Sequence, residues 1–234
     1  MTTIRGARER ARTEVTAAIK DEARGQLAAE GAAKLSLRAV ARELGMVSSA
    51  LYRYFPSRDE LLTALIIDAY DAVGSAAERA LATADPADPP ARWTAVCVAV
   101  RAWALTHPHE YALIYGSPVP GYQAPQLTIE PASRVGLALI SIAADAHRAD
   151  GIALPPLAEE LRPEAQRLAA QLAPGLPPEV MAALIAAWAQ LFGLVSFEVF
   201  GQFNNLVEAR DELFTHAARR LAHEVGLMDR HRTP

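Results

Sequence analysis

Between Ser36 and Phe55 the chain reads SLRAVARELGMVSSALYRYF, two short helical patterns separated by a glycine. Leu37, Val40, Ala41 and Leu44 recur at i, i+3, i+4 and i+7, the apolar stripe of one buried helix face, and Arg38, Arg42 and Glu43 point elsewhere. Ser36 stands where an N-cap belongs, because its hydroxyl can accept a bond from an unpaired N–H of the first turn. Gly45 follows where a helix stops, since glycine enters the left-handed conformation at little cost. Leu51 and Phe55 resume helical spacing, and Pro56 ends the segment. Two short helices joined by a tight turn form a helix-turn-helix. The second helix carries Ser48, Ser49, Ala50, Tyr52, Arg53 and Tyr54 on the faces its leucine leaves free. These side chains are small or hydrogen-bonding and none is acidic, so they can approach base edges and phosphates. Taken alone, the same short pattern also suits a surface helix of another helical protein.

GMVSSALYRYFPSRDELL resembles the signature of the TetR family of bacterial transcriptional repressors, Gly-Val-Ser-x-x-x-Leu-Tyr-x-His/Tyr-Phe-x-Ser-Lys-x-x-Leu. Gly45, Leu51, Tyr52, Tyr54, Phe55, Ser57 and Leu61 match it, and Arg58 stands where the family has lysine. Val47 occupies the slot of the serine that caps the family's recognition helix, which moves the expected cap to Ser48. The resemblance covers roughly the first 60 residues with their flanking helices. It implies an all-α chain with an N-terminal three-helix DNA-binding domain followed by a helical ligand-binding and dimerisation domain.

Composition agrees with packed helices. The chain of 234 residues is 51% hydrophobic, with alanine dominant, few aromatics and 16 prolines as breaks. No alternating β-branched run reads as a strand. The net charge of −4 hides an asymmetry: residues 1–58 hold 11 Lys or Arg against 6 Asp or Glu, and the remainder 12 against 21. A basic front on an acidic body is the footprint of a phosphate-binding end. The single Cys97 excludes an internal disulfide and a cysteine-rich zinc site, and its apolar helix face makes it a core residue. No secretory leader is evident, and the apolar stretch from Met181 to Phe203 is interrupted by Gln190, Glu198 and Gln202; a cytoplasmic location without a membrane span is expected.

Along the chain, Arg5, Arg8, Arg10 and Arg12 form either an arm that reaches DNA or a solvated terminus. A first helix is expected over Ala11–Glu30, with Val15, Ile19, Ala23 and Leu27 bracing the helix-turn-helix. Ser57 and Glu60 form a capping box for a connecting helix that runs to about Ala84. ADPADPP, residues 84–90, is a composition break, giving expected domains at 1–58, 59–88 (connecting helix and linker) and 89–234. Further helices are expected from Trp93 to about Thr106, over His109–Tyr115, Glu130–Asp150, Glu164–Leu172, Pro178–Phe203 and Leu206–Gly226. His107 and His109 flank Pro108 with no sulfur partner nearby, and no metal or other cofactor is expected.

The helix from Pro178 is apolar nearly all round and must bury more than one face. Leu184, Trp188, Leu191 and Val195, with Phe214, Ala217 and Leu221 of the last helix, are therefore expected at a homodimer interface, the alternative being burial within one subunit. WAQLFGLVSFEVFGQF is similar to the regulatory domain of a TetR subgroup with a Trp-x-x-x-His-Gly pattern. Trp188, Gly193, Glu198 and Gly201 fit it, and Phe192 replaces the histidine, so no ligand role of that histidine carries over.

The expected function is that of a homodimeric regulator, a repressor on a palindromic DNA operator, released by a small apolar or aromatic effector. Two recognition helices would enter major grooves about 34 Å apart. Ser48, Ser49 and Ala50 would reach bases. Tyr52, Tyr54, Ser36 and Arg58 would sit on phosphates, and Arg38 could do either. Trp103, Tyr111, Tyr115, Tyr122 and Phe192 are the candidate effector contacts, each also a possible core residue. An enzyme is not expected, since no Gly-x-Ser-x-Gly, His-Glu-x-x-His or glycine-rich phosphate loop occurs. The alternative is a helical sensor or adaptor that has lost DNA binding, suggested by Val47 and by the absent family lysine.

Overall fold

The computed structural model describes residues 2–228, and among them every extended regular element is helical. The helices are α1 (Thr2–Glu30), α2 (Leu37–Glu43), α3 (Ser48–Leu51), α4 (Arg58–Thr83), α5 (Pro89–Thr106), α6 (Pro108–Tyr115), α7 (Ile129–Arg148), α8 (Arg162–Leu172), α9 (Pro178–Val199) and α10 (Arg210–Val225). Two compact units emerge: the chain up to Tyr70 with His107–Ile129, and Asp71–Thr106 with the chain from Glu130 onward. The break at 84–90 is the link between α4 and α5 and lies inside the second unit. The division between units falls within α4.

In the first unit Ile19, Ala23 and Leu27 of α1 meet Leu37, Val40 and Ala41 of α2, Leu51 and Phe55 of the second reading segment, and Leu61, Leu62 and Leu65 of α4. Leu51 is fully buried. Sinking one leucine this far from water is worth roughly 1.5–3 kcal/mol, which holds so short a helix in place. The Ser36 hydroxyl accepts from the Ala39 N–H at 3.4 Å and caps α2. Ser57 Oγ accepts from the Glu60 N–H at 3.1 Å at the start of α4. Leu113, Val119 and Tyr122, from the segment after α5, pack on the same core.

The second unit closes around α5, α9 and α10. Trp93, Val96, Cys97 and Val100 of α5, Val180, Met181, Leu184, Leu191 and Val195 of α9, and Phe214, Ala218, Leu221 and Val225 of α10 are buried. Burial pushes the Cys97 thiol up from its ordinary value, as the apolar surroundings disfavour a thiolate. Gly226 ends α10 in the left-handed region at φ 98°, and a Cβ there would lie 2.0 Å from the Ala153 carbonyl oxygen. This close approach supports the isolated antiparallel bridge between Ile152 and Leu227.

Several boundaries differ from the sequence reading. α1 begins at Thr2 instead of Ala11, because the alanine- and arginine-rich start has no proline to stop it. α9 ends at Val199 instead of Phe203, with Gly201 turning the chain at φ 80°. α10 consequently begins at Arg210 and not at Leu206.

Candidate nucleic-acid interface

The reading segment is held from below and bare above. Leu51 and Phe55 are its buried anchors, whereas Ser48, Ser49, Tyr52 and Arg53 are exposed and Ala50 is half-buried. Val47 is the N-cap of α3 and makes no side-chain cap bond. Ser48 was the expected cap; it is instead the first helical residue, since the valine before it already has extended backbone and no acceptor to offer. Bonds from the Tyr52 N–H to Ser48 O at 3.1 Å and from the Phe55 N–H to Leu51 O at 3.1 Å carry helical bonding past Leu51.

Arg38 and Arg42 are exposed on α2. Tyr54 is half-buried, and the Arg12 guanidinium lies 5.7 Å from its ring centre, which joins α1 to the reading segment. Arg58 is turned inward: its guanidinium donates to the carbonyls of Ala32 at 2.8 Å, Ala33 at 3.2 Å and Leu35 at 3.2 Å. It thereby fastens the short 3-10 turn Ala32–Lys34 that leads into α2. Expected on a phosphate, it is occupied as a brace of the reading head. Arg53 is exposed beside Tyr52, and Arg12, expected in an arm or a solvated terminus, lies within the helix α1.

The head is also tied to α4 and α6. Asp68 of α4 accepts from Lys20 at 2.8 Å and from Arg24 at 2.6 Å, and Arg24 reaches Glu110 of α6 at 3.3 Å. Tyr122 pairs with Thr63 at 2.8 Å, Tyr70 donates to the Ile114 carbonyl at 3.4 Å, and Tyr115 meets the rings of Tyr70 and Tyr111. Burial, with help from Tyr70, raises the Tyr115 phenol above its ordinary value, so it stays protonated. Of the expected effector contacts, Tyr111, Tyr115 and Tyr122 belong to the first unit; Trp103 and Phe192 belong to the second, where Phe192 stacks edge-on against Trp188 at 5.6 Å.

The expected dimer residues divide. Leu184, Leu191, Val195, Phe214 and Leu221 are buried within the subunit, filling the core between α5, α9 and α10. Trp188 is 42% exposed and Ala217 half-buried. The outward face of α9 is instead Ala186, Ala189, Gln190, Gly193 and Phe197, and a groove of about 370 Å³ runs between it and Leu213 and Ala217 of α10.

Residues 19–65 match the family model "Bacterial regulatory proteins, tetR family", and residues 93–221 match "Tetracyclin repressor-like, C-terminal domain". HTH-type transcriptional regulators of Mycobacterium bovis and Mycobacterium tuberculosis are each 42% identical over 213 residues, 85% of this chain and 86% of theirs. The crystal structure of the regulatory protein SCO4313 superposes with a TM-score of 0.77 at 35% identity, over 92% of this chain and 98% of that one. A TetR variant from Acinetobacter baumannii in complex with minocycline shares the fold at a TM-score of 0.51 and 17% identity, over 88% of this chain and 92% of that one.

Proposed function

For a chain that belongs to the TetR family, and is therefore a helix-turn-helix transcriptional regulator and not an enzyme, we propose action as a cytoplasmic homodimeric repressor of a palindromic operator. The observation that carries this reading is a solvent-facing row of Ser48, Ser49 and Tyr52 standing on fully buried Leu51. Ser48, Ser49 and Ala50 read base edges, and Ala50 suits a thymine methyl. Tyr52, Tyr54, Ser36 and Arg38 hold phosphates, joined by Arg53 and by the Arg12 side of α1. With few long side chains at the reading face, sequence preference leans on DNA shape.

The dimer forms through α9 and α10. Phe197 at 55% and Leu213 at 37% exposure line the groove between α9 and α10 and are apolar surface a lone subunit leaves in water. Small residues, Ala186, Ala189 and Gly193, let a second backbone approach closely. The minocycline-bound relative supports a small-molecule effector here too. A moderately apolar one fits the tyrosines, with Tyr111, Tyr115 and Tyr122 as candidate wall residues. It acts by binding more tightly to the subunits when their two reading heads stand at a spacing that does not fit the operator.

The test is fluorescence anisotropy with duplexes selected by the protein from a random pool, at several salt concentrations. Specific binding with a linear fall of log affinity against log salt supports the reading. Absence of binding to any duplex favours the sensor or adaptor alternative.

A further inference from the structure

We propose that Arg134 is a positioning residue that splints α4 across a weak point at Gly74, and so keeps the two reading heads at a fixed spacing; the second clause rests on the dimeric DNA-binding reading above. A guanidinium has five N–H donors in a rigid fork. On Arg134 every one of them is taken by a single stretch of α4. Nε donates to Glu78 Oε1 at 2.8 Å and Nη1 to the carbonyl and Oδ1 of Asp71 at 3.1 and 2.7 Å. Nη2 donates to Ser75 Oγ at 3.0 Å and to Glu78 Oε2 at 2.6 Å. Asp71, Ser75 and Glu78 fall at i, i+4 and i+7, one face of the helix.

Beneath the arginine lies Gly74. A Cβ there would stand 2.8 Å from Arg134 Cβ, 2.9 Å from its Nε and 3.0 Å from its Cδ, so the missing side chain is the bed in which the arginine rests. The same feature weakens α4. Glycine is a poor residue for a helix interior, and glycine–serine pairs are among the places where helices kink. Arg134 grips the helix at Asp71 before the Gly74–Ser75 pair and at Glu78 after it, as a splint spans a joint.

The location gives the splint its consequence. Residues up to Tyr70 belong to the unit that carries the reading segment, and α4 from Asp71 belongs to the other. Three residues before Asp71, Asp68 is pinned by Lys20 and Arg24 of α1. One unbroken helix is thus fastened by α1 in the first unit and by α7 in the second. A joint left loose between Asp71 and Glu78 would let the head swing on its stem. Two swinging heads tolerate operators of several spacings; two splinted ones do not.

The test uses the full chain and three proteins: wild type, Arg134→Gly, and Arg134→Gly combined with Gly74→Ala. Glycine is needed at position 134 because even an alanine there would keep the Cβ that a new Cβ at position 74 would meet at 2.8 Å. The double variant removes the arginine and replaces the weak residue of α4 with the best helix former, and both variants share the same glycine in α7. Affinity is measured for the selected palindrome and for versions whose half-sites are moved apart by one or two base pairs. Amide hydrogen exchange is followed over residues 71–80 without DNA. In Arg134→Gly, exchange there accelerates and discrimination between spacings falls by about 2- to 30-fold. In the double variant both return toward wild type, which a surface ion pair of merely local effect would not produce. Unchanged exchange in Arg134→Gly, or no recovery in the double variant, overturns the splint. Faster exchange with undiminished discrimination overturns the link to head spacing. Failure of the wild type to bind any duplex overturns the functional reading while the exchange result still decides the splint.

Discussion

Removing Arg101 should be the most damaging single change of a charged residue in the second unit. Its Nε donates to Glu198 Oε2 at 2.6 Å and its Nη2 to Glu198 Oε1 at 2.7 Å, while a further bond reaches Asp211 at 2.7 Å. Its guanidinium lies 5.1 Å from the centre of the Phe214 ring. The Arg101 and Glu198 side chains are 11% and 6% exposed, whereas Asp211 is 84% exposed. The Asp211 bond is therefore screened and contributes little. Arg101→Met leaves the Glu198 carboxylate buried without its partner, at a cost of about 3–5 kcal/mol. For a chain of this length that is a fall of about 6–20 °C in the thermal midpoint. Circular dichroism melts at one fixed subunit concentration read the effect, since a dimer's midpoint depends on concentration. Adding Glu198→Leu should recover most of the loss, because replacing both partners of a buried pair by apolar groups is often neutral. A single variant that melts like the wild type, or a double variant no better than the single, would refute this account.

Tyr52→Ala should weaken operator binding by about 1–3 kcal/mol in anisotropy titrations and leave sedimentation of the dimer unchanged; equal affinity would remove Tyr52 from the contact set. Phe197→Glu places an unpaired charge in the proposed α9–α10 contact and should shift sedimentation from dimer to monomer, with an intact dimer counting against that face. Arg134 holds the Glu78 carboxyl below its ordinary value, chiefly by direct hydrogen bonding. An acid held low in the folded state stabilises it above the unfolded value, and that contribution is lost as pH falls through the folded one. Acid melts between about pH 5 and pH 3 should therefore show a steeper loss in the wild type than in Arg134→Gln, and parallel curves would contradict it.

The helix-turn-helix was legible because its information is local. Ser36, Ser57, Leu37, Val40 and Leu51 act within one or two turns of where they stand, and the structure places each as spacing implies. The TetR resemblance added the family and the arrangement of helices around it. The proposed dimer face was less legible for a physical reason. Periodicity shows that α9 has more apolar faces than one contact needs, but not which of them its own subunit covers. Val180, Leu184, Leu191 and Val195 went inward and the face of Ala186, Ala189 and Gly193 stayed out. Arg58 and Arg134 were illegible for a related reason. Their acceptors lie 23 or more residues away in sequence, as with Ala32 and Leu35 for Arg58 and Asp71 and Glu78 for Arg134. No local pattern marks such a bond.

The solitary thiol in the heart of α5 has a practical corollary. Cys97 is fully enclosed and its ionisation is suppressed, so it will react sluggishly with maleimides or nitroxide reagents in the native fold. A cysteine introduced at exposed Ser49 would then take up a spectroscopic tag at one site per subunit without any background substitution. The separation between the two tags in a dimer becomes a ruler, read by pulsed electron resonance in solution.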